Sequence, residues 1–371
     1  MTTVIHLRDS PFVGGPEKQI LGQCIRMDAS RYKPMVASFT SGKPNAFLQE
    51  ALALGMCTAE LTDGKLFAIS AAGKLNEMVC DAGDCVVICS GFKADLTAVL
   101  AGVPWIGWFH GHTGVSTRVK LYEALDFIAL RRAGCVMAVC ERAANDLRSI
   151  GLQNVVVVPN AVDVEDIADF GTQRSARADL GIGAGPVVGT VSRLSPEKGV
   201  EYFIDAMPAI LMKCPDAQFL IFGDGPLKSK LRQKAESIGV LDFVTFTGHK
   251  TDAVRLAKAM DIFVLPSLKE NMPVALLEAM ACGVSVVATD VGGVGEVLRG
   301  TGIAPIRPSS PDSIASAVTL LLSNNSLRKR ICNASIARMR DFEFIRQVRC
   351  VEDIISQLEV QHVNKSNGLY P

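Results

Sequence analysis

Two carboxylates bracket an otherwise apolar run, KENMPVALLEAMACG, in which Glu270 and Glu278 stand almost alone among hydrophobic neighbours. Glutamate is rarely buried without a partner, so each needs a reason. Pro273 suits the first turn of a helix, where its missing N–H costs nothing. Asn271 tolerates the left-handed backbone that a tight turn before that helix would need. The helix PVALLEAMAC would then open with the N–H groups of Val274 and Ala275 unpaired, a positive pole for an anion such as phosphate. Glu270 precedes this pole, and Glu278 lies roughly 7 Å further along the axis. A ligand with phosphates in the middle and hydroxyl-bearing sugars at both ends would meet both carboxylates, which accept hydrogen bonds from hydroxyls. A nucleotide sugar has that layout. A buried ion pair at Glu278 and a surface Glu270 account for the run equally well when it is taken alone.

It is not alone. GTVSRLSPEKG places Arg193 and Lys198 in the loop after a strand, where two cations suit the oxygens of a diphosphate leaving group. Two further strand ends carry glycine, in Phe222-Gly223-Asp224-Gly225-Pro226 and in Thr247-Gly248-His249-Lys250. Glycine there lets backbone approach a ligand closely, although such turns also occur without one.

The elements that would position these residues follow from the alternation of short β-branched runs with longer helical patterns. TVIHL, PMVASF, CVVICS, VPWIGWF, CVMAVC and NVVVVP read as buried strands, and PVVGTVS, AQFLIFG, DFVTFTG, DIFVLP and VSVVAT as a second set. This is the pattern of parallel sheets covered by helices on both faces. A polar, Gly-rich stretch after Pro159 separates the sets. The chain therefore reads as an α/β protein of two Rossmann-like, doubly wound domains. The first spans 1–165, the second 184–340, and a C-terminal helix with a fraying tail, HVNKSNGLYP, spans 341–371. Ligands of such sheets bind beyond the carboxyl ends of the strands, which makes the cleft between two of them the natural active site.

Composition narrows the class. A length of 371 residues exceeds what one core usually serves. The formal net charge of zero argues against a general nucleic-acid binder. Eleven cysteines, an odd number with no CxxC pair, sit mostly in apolar runs and read as small buried hydrophobes in a reducing compartment. The N-terminus lacks the basic lead and apolar core of a signal peptide, and no run of about 18 apolar residues is present. The expected location is cytoplasmic. RVKLYEALDFIALRR, from Arg118 to Arg132, reads as a helix packed on a sheet, with peripheral contact at the inner face of a membrane through the N-terminal domain left open.

The C-terminal set resembles the retaining nucleotide-sugar glycosyltransferases of the GT-B fold, specifically glycosyltransferase family four. The pieces that carry the resemblance are GTVSRLSPEKGVEYFIDA, FGDGP, VTFTGH and above all E-x7-E from Glu270 to Glu278, followed by AMACGVSVVATDVGGVGEV. They occur in the family's order. In the N-terminal half, FVGGPEKQ resembles the family's glycine pair, here Gly14 and Gly15. GVPWIGWFHGH resembles the segment ending in the active-site histidine, here His110, and VCERAANDL with VVPNAVD matches the end of that domain. Three positions depart from the family pattern: Asn271-Met272 after the first glutamate, Ser90-Gly91 where a histidine is common, and Ala161 where glycine is commoner.

The resemblance implies transfer of a sugar from a nucleoside-diphosphate sugar to a hydroxyl of a sugar, glycan or lipid-linked acceptor, with retained configuration, in cell-surface polysaccharide or glycan synthesis. It gives Gly14, Gly15, Arg193, Lys198 and the amides of Val274 and Ala275 to the diphosphate. Glu278, Gly223, His249 and Lys250 fall to the nucleoside, and Glu270, Asn271 and Met272 to the donor sugar, with His110 and Glu270 catalytic. No D-x-D occurs and the five histidines show no ligand spacing, so neither metal nor cofactor is expected. An epimerase of the same fold is the alternative. A nicotinamide dehydrogenase is disfavoured, since FVGGPEKQ lacks G-x-G-x-x-G and GIGAGP precedes a strand instead of following one.

Overall fold

In the computed structural model, residues 1–40, 44–62, 69–111 and 117–366 are described, and the chain divides into two compact units. The first comprises 1–160 and the last helix, the second Ala161–Glu343.

The first unit is built on seven parallel strands: β1 (Thr2–Arg8), β2 (Tyr32–Thr40), β3 (Cys57–Thr62), β4 (Cys85–Ser90), β5 (Trp105–Phe109), β6 (Cys135–Ala138) and β7 (Val155–Val157). Their order is β3-β2-β1-β4-β5-β6-β7. Six are the strands read from the sequence. The seventh, β3, is an edge strand of sequence CTAELT, anchored by the buried Leu61 and otherwise largely open, so it lacks an apolar run. Helices follow the strands and bury both faces. Ile5, Leu7, Val87, Trp105, Leu130 and Leu147 belong to one continuous core.

The second unit opens with two short helices, Val164–Ala168 and Gln173–Asp179, in the polar stretch where no strand was expected. Asp163 and Thr172 start them by accepting the N–H of Asp166 and of Ser175. Five parallel strands follow: β8 (Val187–Val191), β9 (Gln218–Phe222), β10 (Val244–Gly248), β11 (Ile262–Leu265) and β12 (Ser285–Ala288). Their order, β10-β9-β8-β11-β12, reverses between β8 and β11. The core holds Phe203 and Phe219 edge to face at 5.9 Å, with Ile221, Val264 and Leu231.

The final helix, Phe344–Ser366, belongs to the first unit. The tip of its Phe344 ring lies against Gly22 of the helix Gly15–Cys24, and the Arg26 guanidinium lies over the ring at 4.9 Å. Gln347 donates to Gln19 at 3.0 Å and to the carbonyl of Pro159 at 2.8 Å. The helix continues into the tail expected to fray, through Ser366, because no helix breaker occurs before Gly368. Residues 367–371 lie outside the described residues. The cysteine expectation needs correction as well. Cys24, Cys89, Cys135 and Cys140 are buried, but Cys57 on the edge strand and Cys80 on the outer side of the helix Ile69–Ala82 are exposed. Residues 118–132 form most of the helix Thr117–Leu130, with Asp126 and Leu130 buried and Leu121 and Ile128 exposed; the side chains of 117–120 lie outside the described residues. Among the described residues no helix is long and apolar enough to cross a membrane.

The Gly22–Phe344 contact yields a direct test of how the last helix is held. A Cβ at Gly22 would stand 2.3 Å from the Phe344 ring, so Gly22→Ala should overpack this seam. A loss of about 1–3 kcal/mol is expected in denaturant unfolding. Adding Phe344→Leu should recover part of it, and an unchanged midpoint for Gly22→Ala alone would show that the helix is not seated on this glycine.

Candidate active site

Because all five strands of the second unit are parallel, their exit loops gather along one edge of the sheet. The loop after β8 carries Arg193 and Lys198. The Arg193 side chain is exposed, whereas Lys198 turns to Glu270, its Nζ donating to Oε1 at 2.7 Å. Lys198 and Glu270, expected at the diphosphate and at the donor sugar, are partners in the fold. Their approach depends on Gly199, which has φ +59° and would place a Cβ 2.2 Å from the carbonyl oxygen of Pro266. The backbone N–H of Leu268 also donates to the Glu197 carbonyl at 2.8 Å. The loops after β8 and β11 are thus packed backbone to backbone.

Glu270 is only 9% exposed at its side chain. The helix Val274–Ala281 that follows starts without a side-chain cap, and Pro273 is its N-cap, one position earlier than expected. The amides of Val274 and Ala275 stand in its first turn. Asn271 is not left-handed, since among the described non-glycine residues only Ser309 has positive φ. The tight geometry is carried from the facing loop instead. Gly292 has φ +52°, and a Cβ there would lie 1.9 Å from the carbonyl oxygen of Glu270. Gly293 N–H donates to the Asn271 carbonyl at 2.6 Å. Met272 is buried.

The puzzle of a carboxylate inside an apolar helix has a geometric answer. Leu276, Leu277, Ala279, Met280 and Ala281 are buried, while Val274, Ala275, Glu278 and Cys282 remain half-exposed. Helical spacing puts Glu278 one turn above Val274 on that open stripe. Glu278 is therefore not buried, contrary to expectation, and faces the same side as the helix start.

Gly223 and Gly225 fold the β9 exit loop against the β8 loop. A Cβ on Gly223, whose φ is +124°, would lie 1.9 Å from the Ser192 carbonyl oxygen. Asp224 lies between them, and no spacing in the sequence marks it. Its carboxylate accepts from Lys228 at 2.7 Å and from Gly225 N–H at 2.8 Å. These bonds, with the nearby Lys228 and His249, hold it below the usual carboxylate range. His249 and Lys250 are exposed in the neighbouring loop, linked by Gly223 N–H donating to the Gly248 carbonyl at 2.9 Å.

In the first unit the corresponding edge gathers Gly14, Gly15 and His110. Arg8, the last residue of β1, donates through Nε to Glu17 Oε1. The other oxygen of this buried carboxylate accepts from Gly14 N–H at 2.8 Å. The glycine turn is fixed from inside by residues to which the sequence reading gave no role. The available signal was the glutamate three positions after the helix cap. Arg8 also reaches the Ser90 carbonyl at 3.4 Å. His110 follows β5 with its ring 4.7 Å from Trp108. Burial, and then the charge of Arg8, hold its imidazole well below the usual histidine range. Among the described residues no group of three or more His, Cys, Asp or Glu is placed to hold a metal.

Two family models cover most of the chain. Residues 13–166 match "Glycosyltransferase Family 4", and 185–324 match "Glycosyl transferases group 1". The chain belongs to glycosyltransferase family four. Among relatives of this glycosyltransferase, alpha-D-kanosaminyltransferase of Streptomyces kanamyceticus is 32% identical over 259 residues, 65% of this chain and 67% of that protein. The Escherichia coli UDP-Gal:alpha-D-GlcNAc-diphosphoundecaprenol alpha-1,3-galactosyltransferase is 27% identical over 73% of this chain and 74% of its own length. Some other relatives align over less than half of their length. In fold, the glycosyltransferase is similar to Anabaena HepE, crystallised with UDP and glucose. The TM-score is 0.82 at 21% identity, covering 96% of this chain and all of that one. Both have the GT-B architecture of two Rossmann-like units.

The shielded histidines predict how this glycosyltransferase responds to acid. Burial lowers His6, on β1, to about 3. An unfolded histidine takes up its proton near 6.5, so the unfolded state binds more protons below that pH and stability falls from about 6.5 towards 3. At pH 5 the loss from His6 alone is about 2 kcal/mol. His6→Gln should therefore show a shallower decline of Tm between pH 7 and 4.5 than the wild type. Equal slopes would mean that His6 is protonated in the fold.

Proposed function

We propose that this glycosyltransferase moves a sugar from a nucleoside-diphosphate sugar to an acceptor hydroxyl with retention of configuration. The observation that carries the reading is the Lys198–Glu270 pair beside the uncapped start of the helix Val274–Ala281. It combines cation, oriented carboxylate and helix pole within one loop cluster. Breaking the bond from the anomeric carbon to the diphosphate leaves negative charge on phosphate oxygens and positive charge on the sugar. Arg193, Lys198, the amides of Val274 and Ala275, and the Gly14–Gly15 turn stabilise the diphosphate as it leaves. Lys198 carries three N–H donors, and one bond to Glu270 leaves two for phosphate. Glu270 accepts from hydroxyls of the donor sugar next to the reacting carbon, flanked by Asn271 and Met272. Glu278, on the open stripe, takes the ribose hydroxyls, with Gly223, His249 and Lys250 beside the nucleoside. His110, held neutral, orients the donor sugar as a hydrogen-bonding group without bringing a cation to a site of developing positive charge.

Relatives named for 2-deoxystreptamine and for alpha-D-GlcNAc-diphosphoundecaprenol support a small hydroxylated ring, glycan or lipid-linked sugar as acceptor. We assign the reaction to the cytoplasmic side of the membrane, in cell-surface glycan assembly. Side chains and a helix pole supply the positive charge that a divalent ion would otherwise bring, so the reaction needs no metal.

A thermal-shift panel of UDP, GDP and ADP identifies the base, because a ligand that binds the native state raises Tm. Product NMR with the matching sugar nucleotide then reports the anomeric configuration. With that donor, Arg193→Ala or Lys198→Ala should cost roughly 100-fold in turnover. Glu278→Gln should mainly raise the donor KM, because ribose is bound alike in ground and transition states, whereas Glu270→Gln should mainly lower kcat. A large drop in ligand-free Tm with unchanged KM in Glu278→Gln would assign that residue to a structural ion pair. Activity should persist in excess EDTA; abolition by chelation with recovery on adding magnesium or manganese would overturn the metal-free scheme.

A further inference from the structure

Glu270 is held in an asymmetric way. Its Oε1 accepts from Lys198 Nζ at 2.7 Å and from Ser267 Oγ at 2.8 Å. Among the described residues no hydrogen bond reaches Oε2. Ser267 is fully buried in the loop after β11. A serine hydroxyl has one hydrogen, and here it is committed to the carboxylate. The backbone of Ser267 is tied in turn. Its carbonyl accepts from Thr289 Oγ1 at 2.6 Å, and Thr289, also fully buried, follows β12. The N–H of Thr289 continues the strand pairing by donating to the Leu265 carbonyl at 3.1 Å. Thus Glu270 is held directly from two strand ends, by Lys198 after β8 and Ser267 after β11, and Thr289 after β12 braces the backbone of Ser267.

We propose that Ser267 and Thr289 are positioning residues for sugar transfer: Ser267, its backbone braced by Thr289, joins Lys198 in fastening Oε1 of Glu270, so that Oε2 is the oxygen presented to the donor sugar. The inference rests on the assignment of Glu270 to that sugar. Two donors converging on one oxygen fix the carboxylate plane as well as its position. With Lys198 alone the group could turn about its last torsion and offer either oxygen. Hydrogen bonding of a sugar hydroxyl beside the reacting carbon is sensitive to such a turn, since a misplacement of about 1 Å costs on the order of 100-fold in rate. Neither hydroxyl needs to touch the substrate, and the nucleoside and diphosphate contacts do not pass through them.

The test uses the full chain and a panel of UDP-glucose, UDP-galactose, UDP-N-acetylglucosamine, GDP-mannose and ADP-glucose, with donor turnover measured with and without simple sugar acceptors. The donor that wild type turns over is carried forward. Ser267→Ala should lower kcat by ~10-fold to ~100-fold, with the affinity for the matching nucleoside diphosphate within about twofold of wild type. Thr289→Val, which keeps shape and loses the hydroxyl, should lower kcat by a smaller factor, and Thr289→Ser should restore it. If Ser267→Ala does not fold, Ser267→Cys replaces it. The thiol is a weaker donor, so kcat should again fall with diphosphate affinity retained. A wild-type kcat in Ser267→Ala, or in Ser267→Cys where it stands in, overturns the inference while leaving the sugar-transfer reading intact. So does a loss confined to Tm or to nucleoside-diphosphate affinity. A wild-type chain that neither binds a nucleoside diphosphate nor turns over any of the donors overturns both.

Discussion

A charged carboxylate that is almost enclosed must have its counter-charge and its hydrogen bonds supplied by the protein, and Glu270 sets this requirement for the whole second unit. The cation that answers it, Lys198, comes from a different strand end, so two exit loops have to meet at a fixed separation. That separation is closer than side chains allow. Gly199 lies against Pro266, and Gly292 lies against Glu270 itself, each at a distance where a Cβ would collide with a carbonyl. Gly199 in GTVSRLSPEKG and Gly292 in DVGGVGEV are thus consequences of one electrostatic need. Their positive φ values, +59° and +52°, add a conformational reason to the steric one.

The fold was largely legible because parallel strands buried on both faces leave continuous apolar runs, and most of the strands carry one. β3 and β10 do not, and both sit at a sheet edge: β3 buries Leu61, and β10, VTFTG, alternates with its residues half-buried or exposed. Within the site, charged residues in exit loops were visible as anomalies of type and place. Their partners were not. Nothing in the spacing of Lys198 and Glu270, 72 residues apart, says that they share a hydrogen bond. Ser267 and Thr289 are small hydroxyls at strand ends, with no periodicity to mark them. Glu278 differs for another reason: the apolar composition around it suggests burial, while helical spacing places it on the stripe with Val274 and Ala275. Asn271 was assigned the strain of a turn that the structure relieves from the opposite loop, through Gly292.

The first unit solves a similar problem with the opposite result. Glu17 is more deeply buried than Glu270 and is also paired with a cation from a strand end, Arg8. Both of its oxygens are used internally, one by Arg8 and the other by Gly14 N–H. A carboxylate saturated in this way has little capacity left for a ligand and serves to shape the glycine turn. Glu270 receives two donors on one oxygen and keeps the other. The distinction is one of hydrogen-bond capacity, not of charge or burial. It separates a glutamate that organises backbone from one that can face a substrate.

Arg8 has a second consequence that Lys198 does not share. Its guanidinium adds to burial in keeping His110 neutral and draws against the upward shift of Asp95, in the helix Phe92–Ala101. Asp95 is pushed up by burial and by the adjacent Asp126, so the same edge holds an uncharged imidazole and a carboxyl group resisting ionisation. A fixed positive charge surrounded by groups that decline to charge leaves Arg8 compensated chiefly by Glu17. Fixing that one pair therefore fixes the glycine turn and adds to the burial that keeps the histidine neutral. An Arg-to-Lys exchange would keep the charge but lose the planar fork that reaches Glu17 through Nε while another nitrogen approaches the Ser90 carbonyl. Geometry, more than charge, is what Arg8 contributes to this edge.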